Sequence, residues 1–171
     1  MKSVLLLAVA CTTMLIACGQ DDKSKRPSPP AQAKETIASG AVVTIDYSQP
    51  SVKGRTIVKD LEPMDGKVWR TGANEATVFN VSKAVKVEGK ELPAGKYALF
   101  TIANGDEWTI IFNKKADQWG AYDYKEADDA LKVKVKGAKA STFAEKLTFN
   151  VNKDGTVTLL WGDRKVDFKV V

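Results

Sequence analysis

The chain has 171 residues, 44% of them hydrophobic and 27% charged, with a formal net charge of +5. That balance suits one globular domain with an extension and excludes a disordered chain. Histidine is absent, which excludes imidazole bases, Ser-His and Cys-His pairs and His-ligated metal centres. The only cysteines are Cys11 and Cys18, so the folded part is expected to hold no disulfide, thiol nucleophile or metal cluster, and no cofactor motif stands elsewhere.

Lys2 precedes an apolar run over residues 4–16, too short to cross a bilayer and suited to the core of a secretory signal. The run ends Leu15-Ile16-Ala17-Cys18, which resembles a bacterial lipobox. Residues 1–17 would then be a lipoprotein signal peptide, and Cys18 would be acylated, palmitate included, and tie the protein to the lipid bilayer. Several chains on one residue anchor durably, since each buried methylene contributes ~0.8 kcal/mol. An ordinary secretory cleavage site is the alternative. Cys11 suits the lipobox less well, because Ala8 occupies the place of its leucine. Gly19 follows Cys18 where an inner-membrane retention signal has Asp, which favours the outer membrane. Asp21-Asp22 resemble the acidic surface-export signals of Bacteroidetes lipoproteins.

Residues 18–40 read as the acylated cysteine and a flexible polar linker, since Pro27, Pro29, Pro30 and the charges around them offer nothing to bury. Extended at ~3.3 Å per residue, such a linker would let the domain stand up to ~70 Å from the membrane. The domain itself is expected over residues 41–171. Within it Lys132, Lys134 and Lys136 alternate with Leu131, Val133 and Val135. This is a solvated strand face or a blunted edge before it is a polyanion site, and nucleic acid is not an expected partner.

Short alternating runs at 42–47, 55–58, 68–71, 77–81, 84–87, 97–102, 108–112, 131–135, 146–151, 156–161 and 166–170 predict strands. Turn signals such as Glu88-Gly89, Pro93-Ala94-Gly95, Asn104-Gly105-Asp106 and Gly162-Asp163 separate them. Only residues 124–131 have helical composition, and no strand-helix-strand rhythm occurs. The predicted fold is all-β: an antiparallel β-sandwich, jelly-roll or Greek-key-like, of about ten short strands with at most one short helix. A closed barrel is the alternative. Phe79, Leu99, Ile110, Phe149 and Leu159, with Trp108 and Trp161, are the expected core.

The most distinctive segment runs Gly66-Lys67-Val68-Trp69-Arg70-Thr71-Gly72-Ala73-Asn74-Glu75-Ala76-Thr77. Taken with Tyr47-Ser48-Gln49-Pro50-Ser51-Val52-Lys53-Gly54-Arg55, Leu92-Pro93-Ala94-Gly95-Lys96-Tyr97, Phe112-Asn113-Lys114 and Gln118-Trp119-Gly120-Ala121-Tyr122, it resembles domain-of-unknown-function family 2911 over about residues 43–170. The resemblance implies a bacterial envelope or secreted domain, frequent in Bacteroidetes, with no established activity. Gln49 stands where the family pattern usually has Arg, which puts in question any anionic subsite built on that arginine.

Arg70, at a strand end, offers a planar fork of donors for a carboxylate or phosphate and can stack on Trp69 or another ring. Glu75 is its nearest candidate partner, and Gly72 and Asn74 bend the chain out of the strand. The competing reading is a buried Arg70–Glu75 pair that pins the loop and binds nothing. Trp119 and Tyr122, with Asn113 and Gln118 close in sequence, suit stacking on a sugar and hydrogen bonding to its hydroxyls, unless Trp119 plugs the end of the sandwich. The candidate binding set is therefore Trp69, Arg70, Asn74, Glu75, Asn113, Gln118, Trp119 and Tyr122, expected to converge on one concave polar patch. No metal site is expected.

These features favour a non-catalytic binding or accessory domain of the cell envelope, taking a glycan or an acidic small ligand. A glycosidase-like hydrolase using Glu75 with a second carboxylate is one alternative. A structural subunit with an envelope protein partner is the other.

Overall fold

The computed structural model describes residues 22–171. The expected signal segment, Cys11 and Cys18 lie outside the described residues. The chain is all-β, as the alternating runs predict. Its strands are β1 (Pro30–Thr36), β2 (Val42–Ser48), β3 (Val68–Trp69), β4 (Thr77–Val81), β5 (Val85–Val87), β6 (Lys90–Leu92), β7 (Gly95–Asn104), β8 (Glu107–Asn113), β9 (Asp129–Val151) and β10 (Thr156–Lys169). Two three-residue 3-10 turns, Lys23–Lys25 and Glu126–Asp128, are the helical elements among the described residues.

Eight strands form one antiparallel sheet in the order β1-β2-β4-β7-β8-β9-β10, with β3 beside β7 and β5-β6 as a separate hairpin. The order is nearly that of the chain, so the connectivity is closer to a meander than to a Greek key. The sheet curls over its own core. The extension of β2 closes the curl against β9, through Leu147 N–H to Pro50 O (3.0 Å), Val52 N–H to Glu145 O (2.8 Å) and a Ser51–Lys146 bridge. Gln49 takes part, its Nε2 donating to Leu147 O at 2.9 Å.

The expected linker requires correction. Residues 30–36 are a strand of the sheet, paired with β2 from Pro30↔Ser48 to Thr36↔Val42. Their composition conceals this because β1 is an edge: its inward face carries the small Ala31 and Ala33 with Glu35, its outward face Gln32, Lys34 and Thr36. Pro30 is tolerated as the first residue of such a strand. The structured part therefore begins well before residue 41.

Other departures have local causes. Residues 55–58 are not a strand: Thr56 O accepts N–H bonds from Lys59, Asp60 and Leu61, and Val58 has φ 76°. The helical composition of 124–131 yields one 3-10 turn, and strand follows from Asp129. Runs 131–135 and 146–151 are two parts of β9, whose first part pairs with β8 and whose last part pairs with β10. Gly137 lets β9 pass the Trp108 ring, because a Cβ there would lie 2.8 Å from Trp108 Nε1.

The core lies on the concave side. Phe79, Leu99, Ile110, Phe149, Leu159, Trp108 and Trp161 are all buried, as expected. Phe79 and Phe112 meet edge to face at 5.0 Å, as do Tyr47 and Phe149. A second, smaller apolar cluster of Ala76, Ala98, Phe100 and Ile111 occupies the opposite face of β7 and β8. Residues 114–125 cover it with Ala121 and Tyr124, and the Phe100 and Tyr124 rings lie 5.1 Å apart. Central strands buried on both faces lose the polar alternation of a one-sided sheet. This covering loop carries Gln118, Trp119 and Tyr122 of the candidate site.

Candidate functional site

The distinctive segment leaves the sheet after only two residues of β3. Trp69 is buried and its Nε1 donates to Gly72 O at 3.1 Å, folding the segment back on itself. Thr71 sits at φ 55°, held by hydroxyl bonds to Trp69 O (3.3 Å) and Thr101 Oγ1 (3.2 Å), while Thr77 Oγ1 donates to Thr71 O (2.9 Å). Gly72 must be small: a Cβ would lie 2.9 Å from Thr77 Oγ1 and 3.2 Å from Ser48 O. Trp69 is thus a staple within the loop, not a ligand wall.

Beyond Asn74 (φ 56°) the segment meets the covering loop. Ala76 N–H donates to Gln118 O at 2.9 Å and Gly120 N–H to Asn74 O at 3.1 Å, making an isolated antiparallel bridge between Glu75 and Trp119. Side chains of directly opposed residues lie on one face of such a pair. Segments over 40 residues apart in sequence are brought together here.

Glu75 does not pair with Arg70. Its carboxylate takes Lys23 Nζ at 2.9 Å and Arg26 Nη1 at 3.0 and 3.2 Å. Burial alone would raise its pKa, but the bonds from Lys23, its own backbone N–H and Arg26, together with the Lys23 charge, outweigh that and hold it down at about 2. Asn74 Nδ2 donates to Ser28 O at 3.1 Å. Both residues therefore dock the N-terminal arm, residues 22–29. No local signal marks this arrangement, because the cations lie some fifty positions away in the polar stretch.

Asn113 is fully buried and saturated. Its Nδ2 donates to Lys125 O (3.1 Å) and Asp129 Oδ1 (2.8 Å), while its Oδ1 accepts from Lys115 N–H (3.0 Å) and Gln118 Nε2 (3.2 Å). It pins the covering loop and leaves nothing for a ligand. Tyr124 does similar work, donating to Asp129 Oδ2 at 2.7 Å. Burial, reinforced by that bond and the Asp129 charge, pushes its hydroxyl up to about 12, so it remains a donor.

Between the arm, the end of β2 and the two bridged loops lies a cleft of about 420 Å³. Lys23, Arg26, Asp46, Tyr47, Ser48, Glu75, Asp117, Gln118 and Trp119 supply its polar and aromatic lining. Gln118 Oε1 is buried with no hydrogen-bond partner among the described residues, while its Nε2 is taken by Asn113 and by Lys115 O at 2.6 Å. Trp119 is 55% exposed and Tyr122 82% exposed. Of the candidate set, Glu75, Gln118 and Trp119 line the cleft; Trp69, Arg70, Asn74, Asn113 and Tyr122 do not. Lys23, Arg26, Asp46, Tyr47, Ser48 and Asp117 are polar or aromatic lining residues that sequence reasoning missed.

Arg70 lies behind this wall. A Cβ on Gly120 (φ 68°) would stand 3.7 Å from its Nη1 and 2.9 Å from Tyr122 Cε2, so guanidinium and ring both crowd the same glycine. Its Nε is buried without a hydrogen-bond partner among the described residues. Arg70 is not among the residues that line the cleft.

Chemically, the cleft holds two cations against three carboxylates, and the cations already face Glu75. That distribution does not suit an acidic ligand. An ionised, ion-paired Glu75 has no proton to give near neutral pH, so it cannot serve as a general acid. Among the described residues, no group of three or more His, Cys, Asp or Glu is placed to hold a metal ion.

Residues 28–170 match the model of the family described as "Protein of unknown function (DUF2911)". No curated protein and no solved structure matches the chain.

Proposed function

The chain belongs to the DUF2911 family, and from that premise we propose that it is a bacterial lipoprotein, acylated at Cys18 and held at the outer membrane. Its β domain is then a non-catalytic binding module of the cell envelope. The ligand class best suited to the cleft is a neutral, hydroxyl-rich one, a glycan.

One observation carries the ligand class: the exposed Trp119 ring stands on the cleft wall beside Gln118, whose buried Oε1 lacks a donor. A sugar presents an apolar face to a ring and hydroxyl protons to such an acceptor. The near-balance of charges in the lining favours a neutral sugar over a uronate or phosphate.

Titration of neutral and acidic oligosaccharides against the protein, followed by calorimetry, tests this. Neutral sugars should bind, and Trp119→Ala should weaken binding about tenfold, the equivalent of a stacking contact of ~1.4 kcal/mol. Absence of saccharide binding, or an unaffected Trp119→Ala protein, would overturn the ligand class. The intact mass of the membrane-extracted protein, compared with Cys18→Ala, tests acylation separately.

A further inference from the structure

We infer that the covering loop, through Trp119 and Tyr122, rests in the headgroup layer of the membrane leaflet that holds Cys18. This goes beyond the proposal above: it shares with it only the acylation of Cys18, on which it rests, and gives the exposed Trp119 ring to the headgroup layer in competition with a sugar.

The geometry of the arm carries the inference. With residues 18–40 as a free linker, the domain could stand far from the bilayer and face any direction. Instead the chain is bound from Lys23 onward: Lys23 and Arg26 to Glu75, Ser28 O to Asn74, Pro29 O to Gln49 N–H at 2.8 Å, and then β1. Only four peptide steps separate Cys18 from Asp22, ~14 Å at ~3.5 Å per residue. Glu75, where the arm docks, is bridged directly to Trp119. An acylated Cys18 therefore brings this end of the sheet, and no other, to the membrane surface.

What stands at that end suits an interface. Among the described residues the large apolar side chains left exposed are Trp119, Tyr122, Phe143 and Val171. Two of the four fall within four positions of the covering loop. Trp and Tyr are the residues that prefer headgroup depth, with an apolar ring and a polar edge. Arg70, whose Nη1 flanks Gly120 as the Tyr122 ring does and whose Nε has no hydrogen-bond partner among the described residues, adds a cation beside them. Elsewhere in the region acidic residues Asp117, Asp123, Glu126 and Asp128 offset Lys114, Lys115 and Lys125. Attachment should therefore depend on ring insertion and the acyl anchor and not on anionic lipid.

Trp119 is also the probe. Trp69, Trp108 and Trp161 are only 1–2% exposed, so the emission lost in Trp119→Phe isolates its signal. The acylated mature chain is reconstituted in vesicles of phosphatidylethanolamine and phosphatidylglycerol, with and without lipid brominated near the top of the acyl chains. Brominated lipid should quench most of the Trp119 emission, at low and high salt alike, and Tyr122→Ala should reduce the quenching. If the chain floats with the vesicles, carries its acyl mass and shows no quenching, the inference is overturned while the anchor stands. Quenching that disappears at high salt, or Trp119 emission that changes only with protein concentration, as contact between copies would cause, also overturns it. A chain that carries no acyl mass and does not float overturns the anchor reading itself.

Discussion

Arg26 Nη1 is shared between the two carboxylate oxygens of Glu75, at 3.0 and 3.2 Å. The contact joins the polar N-terminal stretch to the most distinctive loop of the domain. It gives Glu75 a structural task, holding the arm, where sequence spacing suggested a bond with Arg70.

The first prediction follows from that carboxylate. Its folded-state pKa, about 2, lies below the ordinary value of 4.5. The stabilisation is therefore complete above about pH 4.5 and is lost as the pH falls toward 2. Because the Glu75 side chain is 37% exposed, Glu75→Gln should cost only ~1 kcal/mol. At neutral pH trypsin should cut the Glu75→Gln protein after Lys23 and Lys25 several times faster than the parent, with the β domain left intact.

Asn113 should be far less tolerant. Asn113→Ala removes four hydrogen bonds at a fully buried position and takes a partner from Lys125 O, Asp129 Oδ1, the Lys115 N–H and Gln118 Nε2, a loss of ~3 kcal/mol. Asn113→Asp should be as damaging, since a carboxylate oxygen would then face Asp129 Oδ1 and Lys125 O. Urea denaturation of both variants measures the loss.

Gly155 closes the turn between β9 and β10 at φ 85°, and a Cβ there would collide with the Val170 carbonyl oxygen. Gly155→Ala should cost at least ~2 kcal/mol, combining backbone strain with displacement of the Val170 N–H bond to Gly155 O (2.8 Å). Thermal unfolding is the check, and a melting temperature equal to the parent's would refute it.

A chain begun at residue 41 should fold poorly. It lacks β1, uncovers the edge of β2 and removes the buried Ala33 and Ile37. An unprotected edge of this length invites intermolecular pairing. Size-exclusion chromatography should show aggregates, whereas a chain begun at residue 22 should be monodisperse.

Much of the fold was legible because alternation reports a sheet with one wet face. Thus β2, β4 and β8 fall close to the predicted runs. β1 was not legible, because an edge strand with Ala on its inner face buries too little to stand out from a polar linker. The division of β9 and β10 into separate strands failed because a long strand can bend without ending, as Gly162 at φ 60° permits within β10. The candidate residues do cluster, yet chemical type alone does not separate those that serve the fold from those that face the cleft. Trp69, Asn74 and Asn113 satisfy backbone and side-chain groups within the protein, and those partners lie in loops whose placement depends on the whole sheet. Only Glu75, Gln118 and Trp119 reach the cleft.

The incorporation of the arm as β1 also governs how the domain bears load. Tension applied ahead of Asp22 first meets the Lys23 and Arg26 contacts with Glu75, then the Asn74–Ser28 bond, and then a ladder seven residues long between β1 and β2. Traction along the axis of β1 shears the whole ladder at once, whereas traction across it peels one bond at a time. A single-molecule pulling trace should therefore show a weak early rupture at the ion pairs, followed by a higher force peak as β1 slides from β2, with the remaining sheet unfolding afterwards.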